Sequence, residues 1–522
     1  MNIKKYTNTL LIIIVVIVAN LIFSNLNIRL DITKEKIYSL SEGTKKILKK
    51  IDDNFFIDVY YSKELPPQIA TIKDYTITIL NDYKDLSGNK IKLSFFKIGD
   101  DDKELKKSAI SEGISPVRFD IISKEKFEQR EGFLGIVMRY RDEKEAIPFI
   151  SDISNLEYDL SSRINNLIKK TKKTIYFIND WGSLSSYKLS PEIREKIRSN
   201  YEVRDVSIEE VYNDTSAINI CIIGPNNPLD EKNQFYLDQI ITRGTNIFLA
   251  IDKKYTSMES FFARDNNTNI EKILEKNGIK ILNTLIMDRN SQAIQIGFRQ
   301  GPFLVTNIVK YPFFIITTDL DRKNPTTKDL SSITIPFASP IEYSTSSLNI
   351  TPIIKTSKYS FAKKENSYTS IDPFQNYTIE NTDLKGPFTI SIIAKGKFNS
   401  FFNEPPKELK EKKIIKEGLN ETLLYLVSSS KFIYNQDLNP DNIQYFINII
   451  NYITQDEELM MIKSKKAGII PLREINETYK VIIKYLNIIL PVLIVIAYGI
   501  YRWKILKIEK ENTIKEFAIK TN

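Results

Sequence analysis

The 522-residue chain contains no histidine and a single cysteine, Cys221. The lack of histidine excludes Ser-His-Asp and Cys-His catalytic sites, histidine general bases and histidine-ligated zinc or haem. One cysteine cannot form an intramolecular disulfide, and Cys221 lies inside an apolar run that predicts a core position. The remaining reactive types, carboxylates, lysine, tyrosine and serine, form no catalytic motif. We therefore predict a protein that is not an enzyme, with no catalytic residue, cofactor or metal.

Two further patterns are missing. The sequence has no G-x-x-x-x-G-K-[ST] phosphate loop, so any energised process that the protein serves must draw its energy from another subunit. It also has no basic stripe with interleaved aromatic residues. The formal net charge of +9 is spread along a chain in which acidic residues recur throughout. We therefore predict no nucleic-acid partner.

Long apolar runs are also scarce, and the two that occur lie near the ends, at Thr9–Phe23 and Tyr485–Tyr501. A helix needs about 20 mostly apolar residues to cross a bilayer. Basic residues flank both runs on their outer sides: Lys4 and Lys5 precede the first, and Arg502 begins the tail after the second. Because basic flanks stay in the cytoplasm, we predict two spans, two cytoplasmic termini and a large extracytoplasmic body.

Each run has an alternative interpretation. The first could be a cleaved signal peptide, but residues 24–28 offer no A-x-A-like cleavage site and no lipobox cysteine. The second could be a buried core helix, although its length and the basic tail behind it favour a span. We therefore expect both runs to remain as anchors in the lipid bilayer.

The stretch between the runs is too long for one hydrophobic core and should hold two or more domains. The hydrophobic fraction of 42% is that of a folded protein. A lysine-rich stretch at residues 169–173 suggests a domain joint. We predict an N-terminal anchor (1–28), a first extracytoplasmic domain (29–170), a second domain (171–475) with a β-rich insertion at about 290–381, and a C-terminal span with a basic tail (476–522).

In the first domain, Ser41 can cap a helix whose apolar side includes Ile47 and Leu48. The following pattern predicts a βαβ unit, a helix and a ββα unit, an order that resembles a thioredoxin-like fold. Pro116 lies before a predicted strand, at the usual place of that fold's cis-proline. Residues 62–65 (SKEL) stand where a redox CxxC would be, which excludes thiol chemistry. The predicted strands are Phe55–Tyr61, Lys90–Ile98, Val117–Ile122, Phe133–Tyr140 and Glu145–Ile150.

The second domain alternates continuous apolar strands with helices, which predicts a parallel, doubly wound α/β sheet. The strands are Thr174–Asn179, Tyr201–Val206, Ile218–Ile223 and Asn246–Ile251, and further strand-like runs occur at Phe388–Lys395 and Leu423–Ser428.

Ligands of such sheets bind beyond the carboxyl ends of the strands. The residues there are our ligand or partner candidates: Asn179, Asp180, Trp181, Gly224, Pro225 and Asp252. Ordinary turns are the alternative for Trp181 and for the Gly224–Pro228 loop, since glycine, proline and asparagine favour turns for backbone reasons. Asp100–Asp102 could hold a divalent cation, but it lacks the ligand spacing of a calcium loop and is interpreted as a solvated turn.

Several segments resemble one family in order and spacing. They are RLDITKEKIYSLSEGTKKIL from Arg29, IDVYYSKELPP from Ile57, EYDL from Glu157, NICIIGPNNP from Asn219, PIIKTS from Pro352, and Leu490-Pro491 in the second run. Together with the Gly244–Asp252 strand and the basic tail, they resemble the gliding-motility auxiliary proteins of ABC transporters (the GldG-like family) over essentially the whole chain.

The resemblance implies an inner-membrane auxiliary subunit that works with a separate permease and ATPase, and a second domain with a flavodoxin-related, glutamine-amidotransferase-like fold. Such amidotransferases use a cysteine and a histidine, which are not available here, and no functional residue carries over. Our leading hypothesis is a non-enzymatic accessory subunit of an ABC transporter; a tethered solute-binding protein with a cleft between the domains is the alternative. An envelope hydrolase would need a constellation that is not found, and a homodimer stays open.

Overall fold

The structure is a computed structural model that describes residues 39–462, except 100, 123–126, 152, 154, 170–171, 301–302, 346, 365–367, 382 and 435–439, together with 496, 498–505, 507 and 508. The chain divides into two compact units, Met1–Ala467 and Gly468–Asn522. In the second unit, residues 498–505 are helical and their side chains are exposed.

Within these described residues, no helix combines the length and apolar character that a bilayer crossing requires. The first predicted span, Thr9–Phe23, lies outside the described residues. Of the second, Tyr485–Tyr501, only residues 496 and 498–501 are described. The prediction of two spans therefore stays a prediction.

The first block, residues 39–168, begins with helix α1, Glu42–Lys49, as predicted from Ser41. The Ser41 Oγ accepts a hydrogen bond from the Thr44 N–H at 3.3 Å, and Ile47 and Leu48 are buried. The elements that follow are β1 Phe55–Ser62, α2 Pro67–Leu86, β2 Ile91–Ile98, α3 Lys103–Ser111, β3 Val117–Ile122, β4 Phe127–Gly132, β5 Leu134–Tyr140, β6 Glu143–Ile147 and α4 Leu156–Ile168.

Four of these strands form one sheet in the order β2-β1-β5-β6. Strands β1 and β2 are parallel and are joined by α2, whereas β5 is antiparallel to both β1 and β6. The inward residues of β1 are buried because the helices cover one face of the sheet, and Phe55, Ile57 and Val59 have no exposed surface. The predicted βαβ and ββα units are therefore both present.

The strand predicted at Val117–Ile122 exists, but it does not join this sheet. It pairs antiparallel with β4, which the sequence did not predict, and the two form a separate hairpin. In the described part of the chain the only cis peptide precedes Pro387. Pro116 occupies the place at which a thioredoxin-like fold has its cis-proline, but its peptide bond is trans. The predicted strand at Glu145–Ile150 is also shifted, and it begins and ends earlier, as β6.

The second block, residues 174–462, continues the α/β pattern. Its elements up to the insertion are β7 Thr174–Ile178, α5 Pro191–Asn200, β8 Glu202–Val206, α6 Ile208–Asn213, β9 Asn219–Ile223, α7 Glu231–Arg243, β10 Asn246–Ala250, β11 Lys254–Ser257, β12 Phe262–Asp265, α8 Ile270–Lys276 and β13 Ile279–Ile281.

The remainder of the block starts with a long helix-free stretch, in the region where the sequence predicted a β-rich insertion. Its elements are β14 Ile286–Asp288, β15 Ser291–Gln300, β16 Phe303–Thr317, β17 Ile333–Pro336, β18 Ile341–Tyr343, β19 Asn349–Lys355, β20 Ser360–Ala362, β21 Tyr368–Ser370, β22 Leu384–Lys385, β23 Thr389–Gly396, β24 Thr422–Val427, α9 Lys431–Tyr434, α10 Pro440–Ile453 and α11 Glu457–Met460.

The central sheet has the order β19-β23-β24-β10-β9-β7-β8. The run from β24 to β8 is parallel, but β23 and β19 are antiparallel, so the predicted all-parallel sheet is a mixed one. Alternate residues of β9 enter different hydrophobic clusters: Cys221 and Ile223 pack with α5 and α10, whereas Ile220 and Ile222 pack with α6, α7 and α8. Helices therefore cover both faces, which explains why the strands are continuously apolar.

Strand β19 corrects the boundary of the insertion. The sequence placed residues 349–355 inside a separate β-rich region, yet β19 forms the edge of the central sheet by pairing with β23. Pro352 interrupts its register there. Proline is tolerated at a sheet edge because its missing N–H would have no partner strand.

The two blocks share one core. A single hydrophobic cluster includes residues of α1, α4, α5 and α10. Within it, the Tyr201 Oη donates to the Asn451 Oδ1 at 2.8 Å, and the Asn451 Nδ2 donates to the Tyr158 Oη at 3.2 Å. Asn200 donates to the same Tyr158 hydroxyl at 3.2 Å, and the Thr454 Oγ1 donates to Tyr201 at 3.2 Å. Burial raises the pKa of both tyrosines, so their hydroxyls remain protonated.

This junction yields a stability prediction. Tyr201→Phe removes a buried hydroxyl and leaves the Asn451 Oδ1 with only the longer bond from Tyr158 at 3.4 Å, whereas Thr454 keeps its bond to the Ile450 carbonyl. We therefore expect unfolding in urea to show a loss of about 1–2 kcal/mol. Tyr187→Phe is the matched control, because the Tyr187 side chain is 58% exposed, and should change stability by less than about 0.5 kcal/mol. Equal effects of the two variants would contradict the structural importance of the junction.

Candidate functional site

Adjacent parallel strands β24, β10, β9 and β7 end at the same edge of the central sheet, and a cavity of about 290 Å³ lies beyond these ends. Its walls come from the loops after β7, β9, β10 and β12, from β11, and from the start of α9, the helix that follows β24. The lining residues are Gly182, Ser183, Leu184, Lys188, Gly224, Asn226, Asp252, Lys254, Tyr255, Asn266 and Lys431.

The loop after β7 begins with Asn179, whose N–H donates to the Val206 carbonyl at 3.2 Å. The Asp180 Oδ2 accepts the N–H of Ile208, the first residue of α6, at 2.7 Å. A carboxylate at a helix start satisfies a free donor and favours the helix dipole. Asn179 and Asp180 therefore hold the loop in place and do not line the cavity.

Trp181 turns this loop towards the loop after β9. Its backbone is left-handed, with φ of 56°, and its carbonyl accepts N–H groups of Asn226 at 2.9 Å and Asn227 at 3.1 Å. The indole packs against the cluster of α6 and α7, and among the described residues its Nε1 has no acceptor. Trp181 thus acts through its backbone and packing, and the cavity wall begins at the next residue, Gly182.

The loop after β9 lies close to the end of β10 and to the loop that follows it. Gly224 has φ of 60°, and its N–H donates to the Ala250 carbonyl at 2.8 Å. The Asn266 Nδ2 donates to the carbonyls of Pro225 at 2.9 Å and Asp252 at 2.7 Å. One buried amide therefore ties the loops after β9 and β10 together, and Gly224 lines the cavity while Pro225 supports it.

The Asp252 side chain connects the loop after β10 to the loop after β24. Its carboxylate accepts the Ser430 N–H at 2.7 Å and the Ser430 hydroxyl at 2.6 Å, and the Lys431 Nζ lies 3.7 Å from its Oδ2. A carboxylate with a relative exposure of only 7% needs such partners because its burial would otherwise be costly.

Lys254 is the second buried charge. Its side chain has no exposed surface, and its Nζ lies 2.6 Å from the Asp265 Oδ1. Burial acts to raise the pKa of Asp265, but the hydrogen bonds from Lys254 and Asn283 and the nearby lysine charges together hold that pKa below its ordinary value. The Asp265 carboxylate is therefore ionised at neutral pH.

The structure brings the six sequence-predicted residues to one edge of the sheet, but only Gly224 and Asp252 line the cavity. Sequence reasoning missed Ser183, Lys188, Lys254 and Lys431. Lys254 comes shortly after the apolar strand β10, and Lys431 comes after the three serines that follow the apolar strand β24. Their positions behind apolar strands could have placed both lysines at this edge.

A second cavity, of about 250 Å³, lies between the two blocks, where the solute-binding alternative predicted a cleft. Its charges are already compensated: Arg163 lies 3.1 Å from Glu145 and 3.7 Å from Glu195, and Lys196 lies 3.1 Å from Glu192. The cavity at the strand ends is therefore the stronger candidate site.

Residues 172–452 match the family model described as "ABC-type uncharacterized transport system". The chain belongs to this family. It is thus an auxiliary component of an ABC-type transport system, as the resemblance implied at this coarser level. Residues 34–139 match a second family model, described as a domain of unknown function (DUF7088).

This auxiliary component has a relative of nearly equal length. An uncharacterized protein of Borreliella burgdorferi is 26% identical in an alignment of 514 positions that covers 92% of this chain and 95% of the relative. Among solved structures, the mmIFT52 N-terminal domain is 13% identical and matches 54% of this chain and 97% of its own length, with a TM-score of 0.32. A TM-score of that size does not establish a shared fold.

The contact between the loops after β7 and β9 can be tested with two glycines. A Cβ at Gly182 would lie 2.0 Å from the Asn226 Oδ1, whereas a Cβ at Gly88 would meet nothing within 4 Å, and their φ angles are alike, at 74° and 67°. Backbone strain is therefore matched, and thermal or urea unfolding should show that Gly182→Ala costs about 1 kcal/mol more than Gly88→Ala.

Asn226→Ala in the Gly182→Ala background should recover most of that difference, because it removes the clashing side chain. A Gly182→Ala variant as stable as Gly88→Ala would show that the two loops are not in contact.

Proposed function

We propose that the protein is a membrane-anchored, non-enzymatic auxiliary subunit of an ABC transporter complex, GldG-like, with a separate permease and ATPase as partners. The family match over residues 172–452 carries the proposal. The two terminal apolar runs support double anchorage in an inner membrane, with both termini cytoplasmic and the body on the extracytoplasmic side. Motility is not part of the proposal, since an auxiliary subunit can serve other transport.

The folds that we propose for the body follow from its sheets. A parallel βαβ unit followed by an antiparallel ββα unit supports a thioredoxin-like first block. A sheet with helices on both faces supports a flavodoxin- or amidotransferase-like second block. Cys221 is fully buried and its burial raises the pKa of the thiol, which disfavours the reactive thiolate and agrees with a non-enzymatic role.

A β-hairpin provides a surface for the partner. From Tyr311 onward, alternate residues of β16 are buried. Farther along the hairpin, alternate residues from Ala293 to Gly297 of β15 are exposed and those between them are only half-buried, and residues 306–308 and 310 of β16 are exposed. Strand β17 pairs with β16 only at Phe314–Thr317, so the outer part is a two-stranded arm. Such a ribbon is marginal in water by itself, and the Ile308 side chain is 76% exposed. We propose that this arm docks on the permease.

Co-purification tests the partner. The full chain, extracted in detergent, should bring down a permease and a P-loop ATPase. The arm can be shortened by joining Ile294 to Val309, which face each other in the hairpin, through an Asn-Gly turn. We expect the shortened protein to keep its melting temperature and lose the permease, because only partner contacts are removed.

A point variant provides a finer comparison. Ile308→Ser should weaken permease recovery, while Ile110→Ser, at a residue 54% exposed on α3, should not. Recovery of the wild-type chain with neither permease nor ATPase would contradict the proposed function. Unchanged recovery with the shortened arm would contradict only the docking surface.

Topology can be measured with single added cysteines, because the native Cys221 is buried and should not react. We expect Lys280→Cys, at an exposed position of the body, to react with a membrane-impermeant maleimide in intact spheroplasts. Asn522→Cys, in the tail, should react only after permeabilisation. Labelling in the reverse order would place the body in the cytoplasm and refute the proposed orientation.

A further inference from the structure

The cavity at the strand ends has the size and the chemistry of a small-molecule site. Its volume of about 290 Å³ is near the lower end of the range of ligand pockets, about 300–1,000 Å³. Ser183 lines it with a relative exposure of only 4%, and among the described residues its Oγ has no hydrogen-bond partner. Buried hydroxyls without a partner are costly and uncommon, so this one is available to a ligand.

The charges in the wall favour an anion. Three lysines, Lys188, Lys254 and Lys431, line the cavity with one carboxylate, Asp252. The Asp252 carboxylate accepts two hydrogen bonds from Ser430 and lies 3.7 Å from the Lys431 Nζ, and the Lys254 charge is compensated by Asp265 at 2.6 Å. Within the described part of the chain, no carboxylate forms an ion pair with Lys188. Positive charge therefore remains in excess at a partly enclosed site, where it is worth more than in open water.

An aromatic side chain completes the wall. Tyr255 lines the cavity with 43% of its surface exposed, and the Arg264 guanidinium carbon lies 4.8 Å from its ring centroid. An exposed ring backed by a cation offers a flat surface for the apolar face of a ligand and adds one more positive charge nearby.

We propose that this cavity binds a small organic anion whose phosphate or carboxylate group is held by Lys188 and Lys431. A hydroxyl of the ligand bonds to Ser183, and its ring packs on Tyr255. The site does not require a transporter partner, because every residue involved belongs to this chain. Failure of the partner experiments above would therefore leave this inference standing, and failure here would leave them standing.

The binding experiment uses the purified full chain at constant ionic strength and three sugars of similar size: glucose 6-phosphate, glucuronate and glucose. We expect at least one anionic sugar at about 10 mM to raise the melting temperature, since a ligand stabilises the state that binds it, even with a millimolar Kd. Glucose should have no effect. The comparison of the two anions distinguishes a phosphate from a carboxylate ligand.

Variants then assign the binding to the cavity. Lys188→Gln should weaken binding of the active sugar about tenfold or more by calorimetry, because it removes a charge-assisted contact, whereas Lys188→Arg should retain it. Lys188 is exposed, so folding should survive, and Lys280→Gln, outside the cavity, is the matched control. Ser183→Ala should weaken binding by a smaller factor.

Three results would overturn the inference. The first is no stabilisation by either anionic sugar, the second is equal stabilisation by glucose, and the third is binding of the same strength in Lys188→Gln and Lys280→Gln.

Discussion

The arrangement of the whole body depends on the buried contacts of Asn451. This side chain on α10 bonds at once to Tyr158 on α4 and to Tyr201 at the start of β8. Because both tyrosines and the amide are removed from water, separation of the two blocks would expose apolar surface and open these bonds in the same step. The two blocks on either side of the predicted joint therefore pack on one shared core.

Ion pairs and main-chain contacts follow the same line between the blocks. Lys169 lies 3.2 Å from Asp456, Lys173 donates to the Thr454 carbonyl at 2.6 Å, and Lys50 lies 2.6 Å from Glu458. A Cβ at Gly43 would lie 2.1 Å from the Glu458 carbonyl oxygen, so α1 can approach α11 this closely only with glycine at that position. Lys169 and Lys173, the first and last residues of the stretch that suggested a joint, both contact the C-terminal end of the second block.

The sequence predicted what local patterns determine. Apolar runs such as NICII and TLLYLV are buried along their whole length, and the helices between parallel strands follow from the crossovers that such strands need. Pairing between distant strands is not a local property. Strand β3 has the sequence pattern of a core strand, yet its hydrogen bonds go to β4 in a separate hairpin.

The candidate site shows the same division. Gly224 and Asp252 could be predicted because each follows a buried strand, and the carboxyl ends of parallel strands lie at one edge. Lys254 and Lys431 are far apart in the chain and line the same cavity because β10 and β24 are neighbours. That adjacency depends on a long excursion through the β-rich residues between them, which no pattern in the sequence determines.

The polar groups of the cavity wall differ in how far they are already engaged within the chain. In the described residues the buried Ser183 Oγ has no hydrogen-bond partner. The carboxylate in the wall, Asp252, is already occupied by the N–H and hydroxyl of Ser430, and it fixes the loop after β24 in doing so. In the binding that we propose, the Ser183 hydroxyl therefore donates to the anion without breaking a hydrogen bond that holds the loops in place, whereas Asp252 could not change partners without releasing the loop after β24.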